Sequence, residues 1–313
     1  MLRAILRTQL PLLTAPLLAV TLLAVACQPA PAPPPEPAPP PAGPVAGTVP
    51  AADGVPIAYT EQGSGSPTLV FIHGWSCDQS YWAAQVPAFA AKYRVVTVDL
   101  PGHGASGSER SEWTLAGLGD DVRALVEGLD LRQVILVGHS MGGPVALLAA
   151  AKLPERVIGV VGVDTLQDAD RKFDPAQWGK VVDAYRQDFA GTCNSFVPTM
   201  FRPDAPPELV TRVTSDMCAA PPEIAVSLFA DFPNFDAAAA LEAVQVPVRL
   251  INSSLYPTNI EGNRTHAPSF DAVIMDGVGH FLMMERPEEF NAHLAAVIEQ
   301  IGAGAPEAGS GQP

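Results

Sequence analysis

The fold of this chain is decided by residues 134–142, which read Val-Ile-Leu-Val-Gly-His-Ser-Met-Gly. The four apolar residues predict a buried strand, and the small and apolar residues after them predict a helix that extends to Lys152. Glycines on both sides of Ser140 allow a tight, strained turn between strand and helix, with the serine hydroxyl at its apex. The backbone N–H of Met141 lies at the helix start, where anions bind. This stretch therefore predicts an exposed nucleophile beside a backbone anion site.

Short apolar runs alternate with amphipathic stretches on both sides of this turn. Several runs are apolar on both strand faces, which is typical of a parallel sheet covered by helices. The predicted strands are Val55–Thr60, Thr68–Ile72, Arg94–Val98, Val134–Val137, Val157–Val163, Val248–Ile251 and Ala272–Met275. The predicted helices are Ser80–Lys92, Leu115–Leu129, Met141–Lys152 and Pro287–Ile301. The alternation predicts the α/β class.

One segment, residues 168–243, breaks the alternation. It has helical patterns but no convincing strand, so it predicts a helical insertion between two strands of the sheet. Its helical patterns cover Trp178–Phe189, Pro207–Cys218 and Pro222–Phe229. It also contains Cys193 and Cys218, for which a disulfide and two reduced, buried thiols both remain open. We expect Cys77, in the sheet part of the chain, to be a buried free thiol.

The composition excludes several classes of protein. The 313 residues are 48% hydrophobic and 16% charged, which excludes a chain disordered throughout, while 33 prolines predict an unpacked segment. The net charge is −15, and it becomes −17 (16 basic, 33 acidic) if residues 1–26 are removed with Arg3 and Arg7. Such a charge argues against a nucleic-acid partner. The cysteine and histidine spacings do not resemble a metal site, and we expect no metal.

The first residues resemble an export signal. Residues 1–26 have a basic start, a short apolar run and a small-residue end, which predict a signal peptide. The segment Leu23-Ala24-Val25-Ala26-Cys27 resembles a bacterial lipoprotein signal, which implies a lipid on Cys27. Ala24 stands where such signals usually have leucine, so ordinary signal-peptidase cleavage remains the alternative. Either way the sequence predicts an exported protein of the bacterial cell envelope, and lipidation would anchor it at a membrane.

Low-complexity segments flank the predicted domain. Residues 28–50 contain eleven prolines, so we expect residues 27–50 to form a polyproline spacer behind the anchor. The end of the chain, residues 302–313, is predicted to be a disordered tail. Between these segments lies the folded domain.

Three further segments carry motifs that belong together with the one at residues 138–142. They are Leu69-Val-Phe-Ile-His-Gly-Trp75, Asp99-Leu-Pro-Gly-His-Gly-Ala-Ser106, and Gly277-Val-Gly-His-Phe281 followed by Glu285-Arg-Pro287 and Phe290-Asn291. Together and in this order they resemble the α/β-hydrolase family over residues 45–301. The resemblance implies a mostly parallel eight-stranded sheet with helices on both faces. It also implies a core of residues 51–167 and 244–301, with residues 168–243 as a helical cap between the sixth and seventh strands.

The resemblance assigns roles to individual residues. Ser140 would be the nucleophile, His280 the general base, and the N–H groups of Trp75 and Met141 the oxyanion hole. The other histidines are weaker candidates for the base. His73, His103 and His139 lie in the structural loops of the motifs, and His266 and His293 carry no motif.

The acid of the triad is where the sequence departs from the family. Family members usually place it in the loop after the seventh strand, here near Tyr256, and residues 246–259 contain no carboxylate. Asp164 ends the strand Val157–Val163, a position that carries the acid in some relatives, including certain haloalkane dehalogenases. Asp164 could instead be a turn residue that starts the cap. Glu261 is the alternative acid, and a third possibility is that neither carboxylate contacts His280.

The resemblance implies a serine hydrolase that cleaves small or medium carboxylic esters through a Ser140 acyl-enzyme, without a cofactor. The substrate would be a small ester-like molecule with an apolar part. Lactone, thioester or carbon–carbon bond hydrolysis on the same scaffold is the alternative, and a catalytically weak surface binding protein is another. We expect most of the large apolar residues of the insertion to pack in the cap and some to face the site: Phe173, Trp178, Tyr185, Phe189, Phe196, Met200 and Phe201.

Overall fold

A computed structural model describes residues 43–304 of the protein, which contain one sheet of eight strands. The strands are β1 (Val45–Pro50), β2 (Pro56–Gln62), β3 (Thr68–Ile72), β4 (Arg94–Val98), β5 (Val134–His139), β6 (Val157–Val163), β7 (Val248–Ser253) and β8 (Asp271–Met275). Their spatial order is β1-β2-β4-β3-β5-β6-β7-β8. The β1–β2 and β2–β4 pairs are antiparallel and all other pairs are parallel, so the expected mostly parallel sheet is confirmed.

Helices connect the strands. They are α1 (Gln85–Ala90), α2 (Leu115–Gly128), α3 (Gly142–Ala150), α4 (Pro175–Gln187), α5 (Phe189–Phe196), α6 (Pro207–Cys218), α7 (Pro222–Asp231), α8 (Ala237–Ala243), α9 (Ile260–His266), α10 (Leu282–Glu285) and α11 (Pro287–Gly304). Short 3-10 turns lie at Gln79–Trp82, Val197–Met200 and Phe232–Asn234. Helices α2 and α3 pack together, while α11 packs on α1, β6 and β7.

The centre of the sheet is covered on both faces. Every residue of β3 and of β5 is buried, although successive side chains of a strand point to opposite faces. This pattern requires helices on both sides, which is why these strands read as continuous apolar runs rather than as alternating ones.

The strand register brings the chemically important segments to one edge of the sheet. Ile72 at the end of β3 pairs with Gly138 of β5, His139 pairs with Val163 of β6, and Val163 pairs with Ile251 of β7. The loops after these parallel strands therefore begin side by side. This edge is where open α/β sheets usually bind their ligands.

The helices between β6 and β7 form a separate layer of contacts. Helix α4 packs against α5 and α7, and α5 packs against α6. A disulfide joins Cys193 of α5 to Cys218 of α6, with 5.6 Å between the Cα atoms. The pairing that the sequence left open is thus decided by the packing of two helices. Cys77 is buried and free, as expected, and burial raises the pKa of its thiol.

Three predicted boundaries were wrong. Residues 45–50 are not linker but strand β1, which forms by pairing with β2. The glycine, alanine and proline in this segment do not give the sequence pattern of a strand. The predicted helix 80–92 is a 3-10 turn followed by α1, because Pro87 lacks an N–H and fits only the first turn of a helix. Helix α11 continues through Gly304, into the predicted tail.

The predicted helix Trp178–Phe189 is also divided in the structure. Asp188 ends α4 and caps α5, because its side chain accepts a hydrogen bond from the N–H of Gly191 at 2.9 Å. At the other end of α4, Asp174 caps the first turn and Pro175 occupies its first position, so the helix begins earlier than its apolar pattern indicates.

The predicted signal peptide, Cys27, the spacer as far as residue 42 and the tail from residue 305 lie outside the described residues. Within residues 43–304, no single helix has the length and apolar character needed to cross a membrane. One helix pair, Pro222–Asn234 with Ala237–Ala243, passes by length and composition together, but it is bent by 77°.

Candidate active site

Ser140 occupies the sharp turn between β5 and α3. Its φ is 50°, in the left-handed region that non-glycine residues rarely adopt. The N–H of Ser140 donates to the carbonyl of Val163 at 2.9 Å, and its carbonyl accepts from the hydroxyl of Thr165 at 2.8 Å. Contacts with the end of β6 and the residues after it thus hold the strained conformation.

The two flanking glycines are required by close backbone approach. A Cβ on Gly138 would lie 2.1 Å from the carbonyl oxygen of Gly142, and a Cβ on Gly142 would lie 2.5 Å from the oxygen of Ile72. No larger residue fits at either position without moving the backbone. The turn predicted from the sequence pattern is therefore present.

Two backbone N–H groups near Ser140 have no acceptor within residues 43–304. Trp75 follows β3, Met141 follows the serine, and both residues are buried. Among residues 43–304, neither amide donates a hydrogen bond to any protein atom. Buried backbone donors are nearly always paired, so two free donors at one site indicate a place for an anionic oxygen.

Asp164 and His280 form a hydrogen-bonded pair. Nδ1 of His280 donates to Oδ2 of Asp164 at 2.5 Å, and the other carboxylate oxygen accepts from the N–H of Ser253 at 2.7 Å. Asp164 is 1% exposed. Because Nδ1 carries the proton of this bond, Nε2 of the neutral ring is free to accept one.

Ser140 and His280 line the same chamber. No hydrogen bond joins their side chains in the described part of the chain. Bonds between a nucleophile and its base often tighten only when substrate binds. The structure thus brings Ser140, Trp75, Met141, His280 and Asp164 to one edge of the sheet.

Glu261 does not belong to this group. It lies on α9 with its side chain 84% exposed, and its carboxylate pairs with Arg264 at 2.5 Å. Of the two acids that the sequence left open, Asp164 contacts His280 and Glu261 faces solvent. Tyr256, near which family members carry the acid, lines the chamber; partial burial and the nearby Asp164 raise the pKa of its hydroxyl.

Sequence analysis gave Glu285 no role, yet it holds the backbone around His280. Its carboxylate accepts the N–H of Gly279 at 2.8 Å and the N–H of Phe281 at 3.2 Å. Burial is the main reason that the pKa of Glu285 is raised. The available signal was its place shortly after the histidine motif, but only the folded loop reveals the two bonds.

His139 supports His280 from the other side. Its Nε2–H donates to the carbonyl of His280 at 3.0 Å, and the N–H of His280 donates to the carbonyl of Met200 at 2.8 Å. Burial holds the pKa of His139 well below its usual value, so the ring is neutral. His139 is therefore a structural support rather than a second base.

His73 and His103 are parts of the scaffold, as expected. Nδ1 of His73 donates to the carbonyl of Gly74 at 2.8 Å, and Nε2 accepts the N–H of Leu100 at 3.0 Å, which ties the loops after β3 and β4 together. Burial lowers the pKa of His73 to about 4 and that of His103 to about 3.

A chamber of about 580 Å³ opens above Ser140. Its wall is mostly apolar and aromatic, and much of it comes from the segment between β6 and β7. Phe173, Trp178, Phe196 and Met200 line it, whereas Tyr185, Phe189 and Phe201 are buried among other side chains. Such a chamber suits a small molecule with an apolar body.

A model of the alpha/beta hydrolase family matches residues 69–293. The chain belongs to this family. The expectation of a hydrolase enzyme is confirmed at that level, and the sheet order and the turn at Ser140 agree with it.

Individual relatives show how widely the family resemblance extends. The hydrolase is 29% identical over 255 residues to the dihydrolipoyllysine-residue acetyltransferase component of an acetoin cleaving system from Pseudomonas putida, covering 76% of this chain but only 65% of that protein. It is 26% identical over 260 residues to 3-oxoadipate enol-lactonase 2 from Acinetobacter baylyi, covering 80% of this chain and 96% of the lactonase.

A solved structure with the same fold is an esterase from Exiguobacterium antarcticum. The TM-score is 0.74 with 18% sequence identity, and the match covers 80% of this chain and 98% of the esterase. At this identity the likeness establishes the fold alone.

His266, which carries no sequence motif, joins three segments of the hydrolase near the chamber. Its Nδ1 lies 2.8 Å from Glu242 at the end of α8, and its Nε2 lies 3.1 Å from Asp170, close to the chamber wall. Hydrogen bonds from these two carboxylates raise the pKa of the imidazole. The protonated ring can donate to both acids at once.

This pairing predicts a pH-dependent stability. A pKa raised in the folded state above the usual 6.5 contributes stability that is fully present below 6.5 and is lost as the pH rises through the folded-state value. Between about pH 6 and about pH 9, the wild-type protein should therefore lose more free energy of unfolding than His266→Gln. Urea unfolding measures the difference. His293→Gln is the control, and equal pH slopes for all three proteins would contradict the expectation.

Proposed function

We propose that this hydrolase cleaves carboxylic esters through an acyl-enzyme formed on Ser140. The observation that carries the proposal is the pair of unpartnered amides, Trp75 and Met141, beside a strained serine and a hydrogen-bonded histidine–aspartate pair. Acyl transfer needs such donors where the carbonyl oxygen becomes negative. The roles expected from the family resemblance fit this arrangement.

In the first half of the reaction, Oγ of Ser140 attacks the ester carbonyl carbon while Nε2 of His280 takes the hydroxyl proton. The carbonyl electrons move to the oxygen, which accepts hydrogen bonds from the amides of Trp75 and Met141. The bond to the alcohol oxygen then breaks, and His280 returns its proton to the leaving alcohol. An acyl group remains on Ser140.

In the second half, water attacks the acyl carbon and His280 takes one of its protons. The bond to Oγ breaks, His280 returns the proton to Ser140, and the carboxylic acid leaves. Asp164 stays ionised throughout; it keeps the ring in the tautomer with Nδ1 protonated and stabilises the imidazolium that forms in each half. The sum is ester plus water giving acid plus alcohol.

The chamber supports small or medium substrates with an apolar acyl or alcohol part. Its volume of about 580 Å³ lies within the range of small-molecule sites, and its apolar wall limits the access of water to the acyl-enzyme. Lactone hydrolysis is the second candidate, favoured by the match that covers 96% of an enol-lactonase. The steps are the same, except that the acid and alcohol stay in one molecule.

A fluorophosphonate tests the nucleophile. We expect the wild-type protein to be labelled on Ser140 and Ser140→Ala to remain unlabelled, because the reagent phosphonylates a serine activated by a neighbouring base. Intact-mass measurement and peptide mapping locate the label. Circular dichroism of both proteins shows that they are folded. A folded wild-type protein that does not react would favour a surface binding protein without catalysis.

Two matched variants test the acid. Asp164→Asn should lower kcat for a short p-nitrophenyl ester by about 10⁴ at neutral pH, because the ring loses its tautomer control. Glu261→Gln should leave kcat within about twofold, because its carboxylate is exposed. Release of nitrophenolate measures both rates. Undiminished turnover in Asp164→Asn, or a large loss in Glu261→Gln, would reverse the assignment.

We also propose that the hydrolase is exported and held at a bacterial membrane by lipid on Cys27. A spacer rich in proline after the cysteine supports this, since it would hold the domain away from the bilayer. Full-length protein expressed in a bacterium should partition into the detergent phase of a Triton X-114 extract, and Cys27→Ser should move it to the aqueous phase. Detergent partitioning that survives the substitution would argue against the anchor.

A further inference from the structure

Arg171 differs from the other arginines of the described residues. Its guanidinium makes no hydrogen bond and no ion pair within residues 43–304, whereas every other arginine there makes a hydrogen bond or an ion pair with a protein group. Its backbone N–H donates to the carbonyl of Asp168 at 3.2 Å, which holds the residue in the turn before α4. A guanidinium has five N–H donors, so all of them remain available.

This free guanidinium lies at the wall of the chamber above Ser140. It sits over the ring of Phe173, 5.5 Å from the ring centroid. The ring of Phe173 packs edge-on against that of Trp178, with 4.8 Å between the two ring centroids. Both rings line the same chamber. The aromatic contact positions the arginine side chain without using its hydrogen-bond donors.

The arginine belongs to the mouth of the chamber rather than to its depth. Arg171 is exposed, and so are Val181, Phe196 and Tyr256, apolar or aromatic wall residues with 41%, 38% and 41% exposure. Large apolar side chains that stay exposed around one opening mark a binding rim. The rim thus combines an apolar surface with one cation.

Arg171 is the only lysine or arginine in the chamber wall formed by the described residues. The acids of the wall have partners of their own. Asp164 is bonded to His280, and a carboxylate oxygen of Asp168 accepts from the side chain of Asn259 and from the N–H of Asp170. Arg171 is thus the one cationic side chain of the described wall, and Asp168, whose two donors are neutral, is the acid there without a charged or imidazole partner.

We propose that Arg171 forms an anion subsite, and that the preferred substrates are esters whose far end carries a carboxylate. This inference rests on the proposed ester hydrolysis at Ser140. A carboxylate matches the planar fork of a guanidinium and can accept two parallel hydrogen bonds from it. The scissile ester would lie at Ser140, the apolar chain in the chamber, and the carboxylate at the mouth.

The apolar chamber explains why the charge should sit at the opening. Moving an unpaired carboxylate from water into an apolar chamber is strongly unfavourable, so an acidic end stays where water and Arg171 can both reach it. The chain has a net charge of −15, so its long-range field disfavours anions. Selection for an acidic substrate must then come from direct contact with this arginine.

Two sets of matched esters test the subsite. One set comprises mono-p-nitrophenyl esters of dicarboxylic acids from glutarate to suberate, whose far end is a carboxylate. The other comprises the same compounds with the far carboxylate methylated. Both release nitrophenolate from the same bond, so only the charge of the far end differs. Rates are compared for wild type, Arg171→Gln and Lys172→Gln, the last being an adjacent exposed lysine outside the chamber wall.

For at least one chain length, Arg171→Gln should lower kcat/KM for the acid ester about tenfold, mainly through KM, as expected for losing a partly exposed charge-assisted contact. The methylated ester should change by less than about twofold, and Lys172→Gln should leave both rates within about twofold. A loss shared equally by both esters would mean a structural role for Arg171. An unchanged acid-ester rate at every chain length would also overturn the subsite.

Binding separates this inference from the proposed function. Should the folded wild-type protein cleave neither set, ester hydrolysis fails, and the subsite is then tested on Ser140→Ala with monomethyl and dimethyl adipate. Intrinsic tryptophan fluorescence reports binding, because Trp75 and Trp178 both line the chamber. The acid should bind about tenfold more tightly than the diester, and adding Arg171→Gln should remove that difference. Equal affinities of the two compounds would overturn the subsite regardless of catalysis.

Discussion

The carboxylate of Asp164 lies at the end of β6, buried, with one oxygen bonded to the ring of His280 and the other to the backbone of Ser253. A buried charge is tolerated only where its lone pairs are satisfied. The register of β6 against β7 and the path of the loop that carries His280 must therefore both be right. If either moved, the carboxylate would be buried without a partner, and the free energy of unfolding of the domain would decrease.

The side chain of Trp75 connects the cap to the site around Ser140. The amide of Trp75 lies beside Ser140 with no acceptor among residues 43–304, while its Nε1–H donates to the carbonyl of Ala225 in α7 at 2.8 Å. Its ring also contacts Phe229 of that helix. The packing of the cap therefore sets the position of an amide next to the nucleophile. A cap loosened from Trp75 would affect both the chamber and the anion site.

Charge is distributed unevenly around the chamber. His73 and His139 are buried and neutral, because burial lowers the pKa of each ring, and they serve as hydrogen-bonding links between loops. His266 holds two carboxylates together outside the wall. Arg171 is the only lysine or arginine on the chamber surface that the described residues form.

Local patterns in the sequence were enough to predict much of this molecule. The apolar runs predicted most strands because a central parallel strand is buried on both faces, and the turn at Ser140 followed from glycines that no other residue can replace. His280 was predicted as the base because its motif lies in one short segment, and the structure places its ring against Asp164. Strand β1 was missed, since its formation depends on a partner strand rather than on its own composition.

Contacts between distant residues needed the tertiary structure. Asp164 and Glu261 both stand near strand ends in the sequence, and only the folded loops show that the first meets His280, 116 positions away, while the second faces water. The same holds for the disulfide between Cys193 and Cys218 and for the hydrogen bonds that Glu285 accepts from the loop of His280. It also holds for Arg171, whose guanidinium has no hydrogen-bond partner among the described residues. The sequence by itself determines which segments form strands, helices and turns, because neighbouring residues set the local backbone conformation. Which side chains contact one another, and which have no partner, depends on the packing that brings remote segments together.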